Sequence, residues 1–301
     1  RSIGIQPNII ICRSEKNIPK EEKGKISLFC NVEPEHVIQS IDVKSIYEVP
    51  IKYNEEKLDK KILNIFNLKE KNKSNLKIWR NIVRKINSKR EKISIAIVGK
   101  YVDLKDAYKS LDEALIHGAL SNNVELNTEW VDSTKISKKN VDKVLKKYSA
   151  ILIPGGFGSR GTEGKIEAIA YARKYKVPFF GICFGMQMAI IESARNMLGI
   201  KKATSSEFGN GGAHVVGLMH KWIKGKHIQK GSEENLGGTM RLGSYKAKLK
   251  KNSLISKIYK SNVIYERHRH RYEVDKNLKS KLEKKGLIFS GLSPDGSLPD
   301  T

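Results

Sequence analysis

Cysteine is scarce in this chain: three residues in 301, Cys12, Cys30 and Cys183, all far apart. An odd, sparse count without metal-ligand spacing excludes a disulfide scaffold and predicts a reducing, cytoplasmic setting. There is no secretory leader pattern, and no apolar run near the length needed to span a bilayer. Acidic residues are also short, with Asp+Glu 32 against Lys+Arg 57 and a formal charge of +25. Such a charge favours anionic partners. However, the lysines are spread along the whole chain, as in Lys60-Lys61-Ile62-Leu63-Asn64, and no RNA-stacking motif, zinc finger or helix-turn-helix pattern accompanies them. A lysine-rich surface is therefore the preferred reading, and nucleic acid is not expected as a partner. Hydrophobic residues, at 39%, suffice for a real core in one large or two ordinary domains. The chain opens Arg1-Ser2-Ile3-Gly4 without an initiator Met and reads as a fragment or a processed product.

The most informative stretch is residues 177–187, Val-Pro-Phe-Phe-Gly-Ile-Cys-Phe-Gly-Met-Gln. A short apolar strand leads into Gly181-Ile182-Cys183-Phe184-Gly185, and a helical pattern starts near Met186. One cysteine thus sits at the apex of a strand–turn–helix elbow with glycine two residues to each side. Glycines are required there if a Cβ would strike the neighbouring strand or helix. The helix N-terminus aimed at the sulfur predicts a lowered thiol pKa and a thiolate nucleophile. The bland alternative is a buried structural cysteine; the paired glycines favour the nucleophile.

Three regions follow from composition and periodicity. Residues 1–53 carry strand candidates at Ile9–Cys12 and Val37–Ile38 with a charged helix ending at Cys30, too little to bury a core alone. Residues 54–91 read as a solvated helical linker. From residue 92 to 301 strands and helices alternate: strand 93–98, helix 106–120, strand 124–131, helix 141–148, strand 150–153, helix 163–175, strand 177–180. That alternation predicts an α/β fold with a parallel sheet covered on both faces, and ligands bound beyond the carboxyl ends of its strands. Both Pro154-Gly155-Gly156-Phe157-Gly158 and Cys183 fall at such ends. The stretch beyond, with Leu236–Gly243 and Tyr265–Glu273, is less regular.

A cysteine nucleophile needs an oxyanion hole, a substrate pocket and a base. The Phe184 amide is one oxyanion donor, and the Gly155-Gly156 loop can supply a second or be a plain tight turn. Glu207 can bind an ammonium group and Arg271 a carboxylate, together fitting a zwitterionic amino acid; either can equally be a surface charge. Of seven histidines, none sits in a strand-end pair with a carboxylate. His268 and His270 lie between arginines that depress their basicity, so the general base is expected to be missing from this chain.

Taken together, Arg1–Pro7, Asp42–Tyr47, Val98-Gly99-Lys100-Tyr101, Pro154–Gly158, Gly181–Gln187, Gly237–Gly243 and Glu266–Glu273 resemble the CTP synthase family over the whole chain. The elbow alone marks class I glutamine amidotransferases, including GMP synthases and γ-glutamyl hydrolases. Residues 1–47 have no counterpart in those. A non-catalytic basic protein is the remaining alternative. The resemblance implies a flavodoxin-like glutaminase domain preceded by the tail of a P-loop-type α/β synthase domain. It implies ATP-dependent amination of UTP to CTP, with ammonia from glutamine hydrolysed at Cys183. Carried over, Gly156, Phe184, Gly185, Met186, Gln187, Glu207 and Arg271 hold glutamine; Gly155, Gly156 and Phe184 form the oxyanion hole. Lys25 touches the UTP or CTP nucleotide, and Ile41, Asp42 and Val43 touch ATP. Arg160 is a candidate contact for GTP, the family's activator. ATP, Mg²⁺ and GTP are the implied cofactors, and a homotetramer the implied assembly. The family's phosphate-binding loop would precede Arg1, and its His-Pro-Glu segment would follow Thr301. On that reading this chain makes no CTP and hydrolyses glutamine at least roughly 10³-fold more slowly than a complete triad.

Overall fold

The computed structural model describes residues 3–100, 108–218, 221–224, 227–230 and 240–301, with backbone alone at 221–224 and 227–230. Tyr101, Asp106, His220, the His227 ring and residues 236–239 of the expected motifs lie outside the described residues. The chain divides into two compact units, Arg1–Glu91 with Ile116–Glu125, and Lys92–Leu115 with Leu126–Thr301.

In the first unit, β1 (Ile10–Ser14) and β2 (Val37–Ile41) pair in parallel, Ile10 opposite Val37 and Ser14 opposite Ile41. α1 (Lys20–Cys30) makes the crossover and ends on Asn31 in the left-handed conformation. Val37 and Ile38 are its most buried apolar residues. Three helices follow: α2 (Val49–Glu55), α3 (Leu58–Ile65) and α4 (Lys77–Asn87). Trp79 of α4 stacks on Tyr47, whose hydroxyl is hydrogen-bonded to His117 Nε2.

The second unit is built on a four-stranded sheet in the order β4 (Val124–Asp132), β3 (Glu91–Gly99), β5 (Ala150–Ile153), β6 (Phe179–Gly181). β3, β5 and β6 run parallel, with Ile97 opposite Leu152 and Ile153 opposite Gly181. Ala96, Val98, Ile151 and Ile153 are almost completely buried, as strands covered on both faces require. Between the strands run α5 (Lys109–Ser121), α6 (Val141–Leu145), α7 (Thr162–Tyr175) and α8 (Phe184–Asn196). α7 and α8 pack on each other and on β5 and β6. Phe184, Met188 and Ile191 of α8 are at most 1% exposed, each stabilising the fold by about 1.5–3 kcal/mol.

Several expected boundaries move by a few residues, and two of the shifts have a local cause. The helix expected to reach Tyr148 stops at Leu145, and the Tyr148 N–H closes a turn onto the Leu145 carbonyl. The strand expected from Val177 begins at Phe179, because the Val177 N–H is engaged by the Ala172 carbonyl at the end of α7.

The stretch that reads as irregular in the sequence is mostly short strands. β7 (Ala203–Ser205) lies beside β8 (Ala213–Leu218), which pairs with β13 (Tyr272–Val274). β9 (Lys221–Lys224) and β10 (His227–Lys230) form a hairpin. β11 (Arg241–Leu249) and β12 (Val263–His270) form a long antiparallel pair, with α9 (Leu254–Tyr259) between them in sequence. α10 (Lys279–Lys284) and β14 (Gly291–Leu292), which pairs with β11, complete the unit.

Candidate active site

The chain passes from β6 into α8 through only two residues, Ile182 and Cys183. The Ile182 N–H donates to the Ile153 carbonyl at 2.9 Å, continuing the sheet by one bond, and the Gly185 N–H donates to the Ile182 carbonyl at 2.9 Å. Cys183 sits between them at φ 52°, ψ −101°. A non-glycine residue held in such a conformation costs about 1–3 kcal/mol and persists only where its surroundings over-determine it. The surroundings here are two close backbone approaches. A Cβ at position 181 would stand 2.6 Å from the Gly185 carbonyl carbon, and one at 185 would stand 2.2 Å from the Ile153 oxygen. Glycine at both positions lets the first turn of α8 rest on the sheet, as the sequence spacing predicts.

Gly155, after β5, faces the same apex: a Cβ there would lie 3.6 Å from the Cys183 Cβ. That is ordinary contact, so nothing in the fold itself demands glycine at 155; the space belongs to whatever approaches the sulfur. At Gly156 a Cβ would meet nothing within 4 Å. From the other side, the sulfur is 3.8 Å from the Arg269 carbonyl oxygen of β12.

The thiol differs from the sequence expectation. Burial pushes its pKa up to about 11, against the Phe184 N–H, which favours the thiolate, and with help from the carboxylates of Glu273 and Glu207. The helix N-terminus acts in the expected direction, but desolvation outweighs it. A thiol raised in this way must lose its proton before the sulfur can act as a nucleophile.

A polar corner adjoins the apex. β7 ends at Ser205, whose hydroxyl accepts the Glu207 N–H and starts a single 3₁₀ turn, Ser206–Phe208. This turn presents the Glu207 carboxylate to the Gly155–Gly158 loop, where Oε1 accepts the Gly158 N–H at 2.7 Å. Oε2 is buried and has no hydrogen-bond partner among the described residues, and Arg271 Nε is in the same condition. Burial raises the Glu207 pKa, while the Gly158 N–H, Lys100, Arg271 and Lys165 lower it. A buried acceptor and a buried donor without partners suit a ligand carrying both an ammonium and a carboxylate. Of the α8 residues expected at the site, Met186 packs against the core and Gln187 is buried, its Nε2 donating to the Tyr272 carbonyl at 2.9 Å. That bond ties α8 to the segment carrying Arg271. Arg160 is exposed, with Nη2 on the Lys100 carbonyl at 3.1 Å.

Sequence reasoning missed Lys165. It is 3% exposed, in the first turn of α7, with Nζ 4.6 Å from the centre of the Phe184 ring. Its signal was its place on the apolar stripe of α7, in helical register with Ile169 and Ala172. No described histidine bonds to the sulfur. His268 Nδ1 and His270 Nε2 are 3.0 Å apart, and His270 Nδ1 lies 3.1 Å from the Tyr272 carbonyl oxygen. Burial first, then neighbouring positive charge, pushes both rings down to about 4.

The expected nucleotide contacts belong to the first unit. Lys25 forms an exposed ion pair with Glu22 at 2.8 Å. Ile41 ends β2; Asp42 follows, accepting from Arg13 Nε at 2.7 Å, and Val43 is half-buried. Among the described residues, no group of three or more His, Cys, Asp or Glu is placed to hold a metal ion. None of the described helices is long and apolar enough to cross a membrane.

Comparison with known proteins agrees with this geometry. The glutamine amidotransferase class-I family model matches residues 103–299, and the CTP synthase N-terminus model matches residues 1–68. The chain is 60% identical over 301 residues to the CTP synthase of Pelagibacter ubique (strain HTCC1062) and 52% identical over 302 to that of Rhizobium meliloti (strain 1021). Each alignment covers 100% of this chain but 56% of the relative, so the chain spans about half the length of the curated relatives it matches. Among solved structures it resembles the Trypanosoma brucei CTPS glutaminase domain with bound acivicin: TM-score 0.60, 36% identity, 69% of this chain and 78% of that one. With its strand–turn–helix elbow at Cys183, its parallel sheet and the family match over most of its length, the chain belongs to the class-I glutamine amidotransferases.

Proposed function

We propose that this chain is the glutamine-hydrolysing part of a CTP synthase, together with the tail of its synthase domain. The observation that carries the reading is the strained Cys183 apex beside Gly155, joined through the Gly158–Glu207 bond to the unpartnered pair Glu207 Oε2 and Arg271 Nε. Glutamine fits with its ammonium on Glu207, its carboxylate on Arg271 and its side-chain amide over the sulfur. Gly156, Gly185, Met186 and Gln187 shape that pocket.

The chemistry then follows from the geometry. Sγ passes its proton to a general base, which returns it to the departing nitrogen, and bonds to the amide carbon. The carbonyl electron pair moves to oxygen, held by the Phe184 N–H and a second N–H from Gly155-Gly156. The C–N bond breaks, the nitrogen takes a proton and leaves as ammonia, and water hydrolyses the thioester to glutamate.

By the same reading, the ammonia aminates UTP to CTP at the expense of ATP in the whole protein, a homotetramer of the cytoplasm. Residues 1–53 are the end of the synthase domain, 54–91 a linker and 92–301 the glutaminase domain. Ile41 and Val43 beside the Arg13-held Asp42 offer apolar edges and a fixed carboxylate to ATP. Lys25 offers a cation to UTP or CTP, and Arg160 one to GTP. Mg²⁺ would serve the ATP phosphates, and the described residues supply no cluster for it.

The test is glutamate release from glutamine by the full-length protein. Cys183→Ala is expected to lower turnover at least about 10³-fold, and a thioester adduct on Cys183 is expected by mass spectrometry. Equal turnover without Cys183 would refute the reading.

A further inference from the structure

Arg271 stands at a junction between two sheets. β12 ends at His270, paired opposite Arg241 of β11, and β13 begins at Tyr272, paired opposite Leu218 of β8. The two strands belong to different sheets, and Arg271 is the single residue between them. It belongs to neither ladder, so its direction is set by a local bond. The Tyr272 carbonyl oxygen lies 3.1 Å from His270 Nδ1. The His270 side chain thus closes a ring around Arg271, from the residue before it to the residue after it. The same oxygen accepts from Gln187 Nε2 at 2.9 Å, in the first turn of α8. His270 and Gln187 are 7% and 4% exposed, so little water competes for either bond.

A carbonyl oxygen can only accept, so His270 Nδ1 carries the hydrogen. Burial first, then His268, pushes the His270 pKa down to about 4, so the neutral ring leaves Nε2 as a bare acceptor. His268 Nδ1, 3.0 Å away, must then donate to it. Glu273 Oε2, 3.8 Å from His270 Nδ1, is beyond hydrogen-bond reach and does not divert that N–H.

We propose that His270 is a positioning residue for substrate recognition: its Nδ1–H, bonded to the Tyr272 carbonyl across Arg271, holds the Arg271 guanidinium where it receives the substrate's carboxylate. The inference rests on the proposed glutamine site. Arg271 Nε is buried with no hydrogen-bond partner among the described residues, so that atom does not anchor the side chain and its aim depends on the backbone beneath it. Through Gln187 the same carbonyl is tied to the helix that Cys183 caps, which gives the carboxylate-binding residue and the nucleophile one shared reference point.

The test compares ammonia release from L-glutamine and from its α-carboxamide, which offers Arg271 no carboxylate. In the full-length protein, His270→Gln places an amide near the position of Nε2 and removes the Nδ1 donor. KM for glutamine is expected to rise about tenfold with kcat within about twofold, while both constants for the α-carboxamide stay unchanged. His270→Asn, whose amide reaches the position of Nδ1, keeps KM for glutamine within about twofold of the parent. His270→Leu gives the same reading as the Gln variant if that variant fails to fold. Equal losses on both substrates, equal losses in the Asn and Gln variants, or an unchanged KM for glutamine without the Nδ1 donor would overturn the proposal. A parent protein with the same KM for both substrates would overturn Arg271 as the carboxylate partner, and with it the glutamine site itself.

Discussion

An alanine Cβ at position 185 would stand 2.2 Å from the carbonyl oxygen of Ile153, closer than any non-bonded carbon and oxygen can approach. Gly185→Ala must therefore push α8 away from β5. A loss of about 1–3 kcal/mol is expected, by analogy with overpacked cores, read as a lower urea midpoint with unchanged m-value. Gly155→Ala makes the opposite pattern. Its Cβ meets the Cys183 Cβ at 3.6 Å, so the urea midpoint stays within about 0.5 kcal/mol of the parent while glutaminase activity falls, because the methyl occupies the space beside the sulfur.

Glu192 on α8 is completely buried and is held by Arg173 of α7 through Nε at 3.0 Å and Nη2 at 2.8 Å. Asn196 Nδ2 adds a bond at 2.9 Å. Arg173→Met strands the carboxylate and should cost about 3 kcal/mol, whereas Arg173→Met with Glu192→Leu should recover most of it. A double-mutant cycle by urea denaturation measures both.

The elbow was legible in the sequence because close backbone approach admits only glycine, and Gly181 and Gly185 bracket the cysteine at the spacing a strand-to-helix turn requires. The alternation of β3, β5 and β6 with α7 and α8 was legible because strands buried on both faces read as unbroken apolar runs. The raised thiol pKa was not legible: the helix N-terminus is visible in sequence order, whereas the burial that opposes it is a tertiary effect, the sulfur lying 3.8 Å from the carbonyl of Arg269, 86 residues downstream. A separation of 59 residues likewise hid the Arg241–Asp300 ion pair, 2.6 Å long and almost fully buried. Lys165 was passed over because a lone lysine in a helix ordinarily reaches water.

The raised thiol gives a kinetic signature. Iodoacetamide labelling of Cys183 in this chain should be slow at about pH 8 and climb about tenfold per pH unit towards its value near 11, while the denatured chain levels off near 9. Glu207→Gln removes a neighbouring negative charge and should speed labelling at fixed pH. Peptide mass mapping separates Cys183 from Cys12 and Cys30. A profile for the native chain that levels off below 9 would contradict the burial argument.

Stability should peak near pH 6.5. The unfolded histidines titrate near 6.5, but folded His268 and His270 only near 4, so between these values the unfolded chain binds more protons and stability falls as pH drops. Burial pushes Glu273 up to about 8 from 4.5, so the folded chain binds more protons between them and stability falls as pH rises. The two histidines outweigh Glu273 below 6.5, and above it Glu273 leads the decline. Glu273→Gln should remove the decline between about pH 6.5 and 8 in urea midpoints, and an unchanged decline would reject this assignment.

The apex places its reactive atom through main-chain packing alone: two missing methyl groups and one backward twist of the chain set where the side chain projects. Exchanging sulfur for oxygen or selenium at position 183 should thus change reactivity without re-aiming the attacker, making this turn a natural mount for comparing chalcogens at one fixed address.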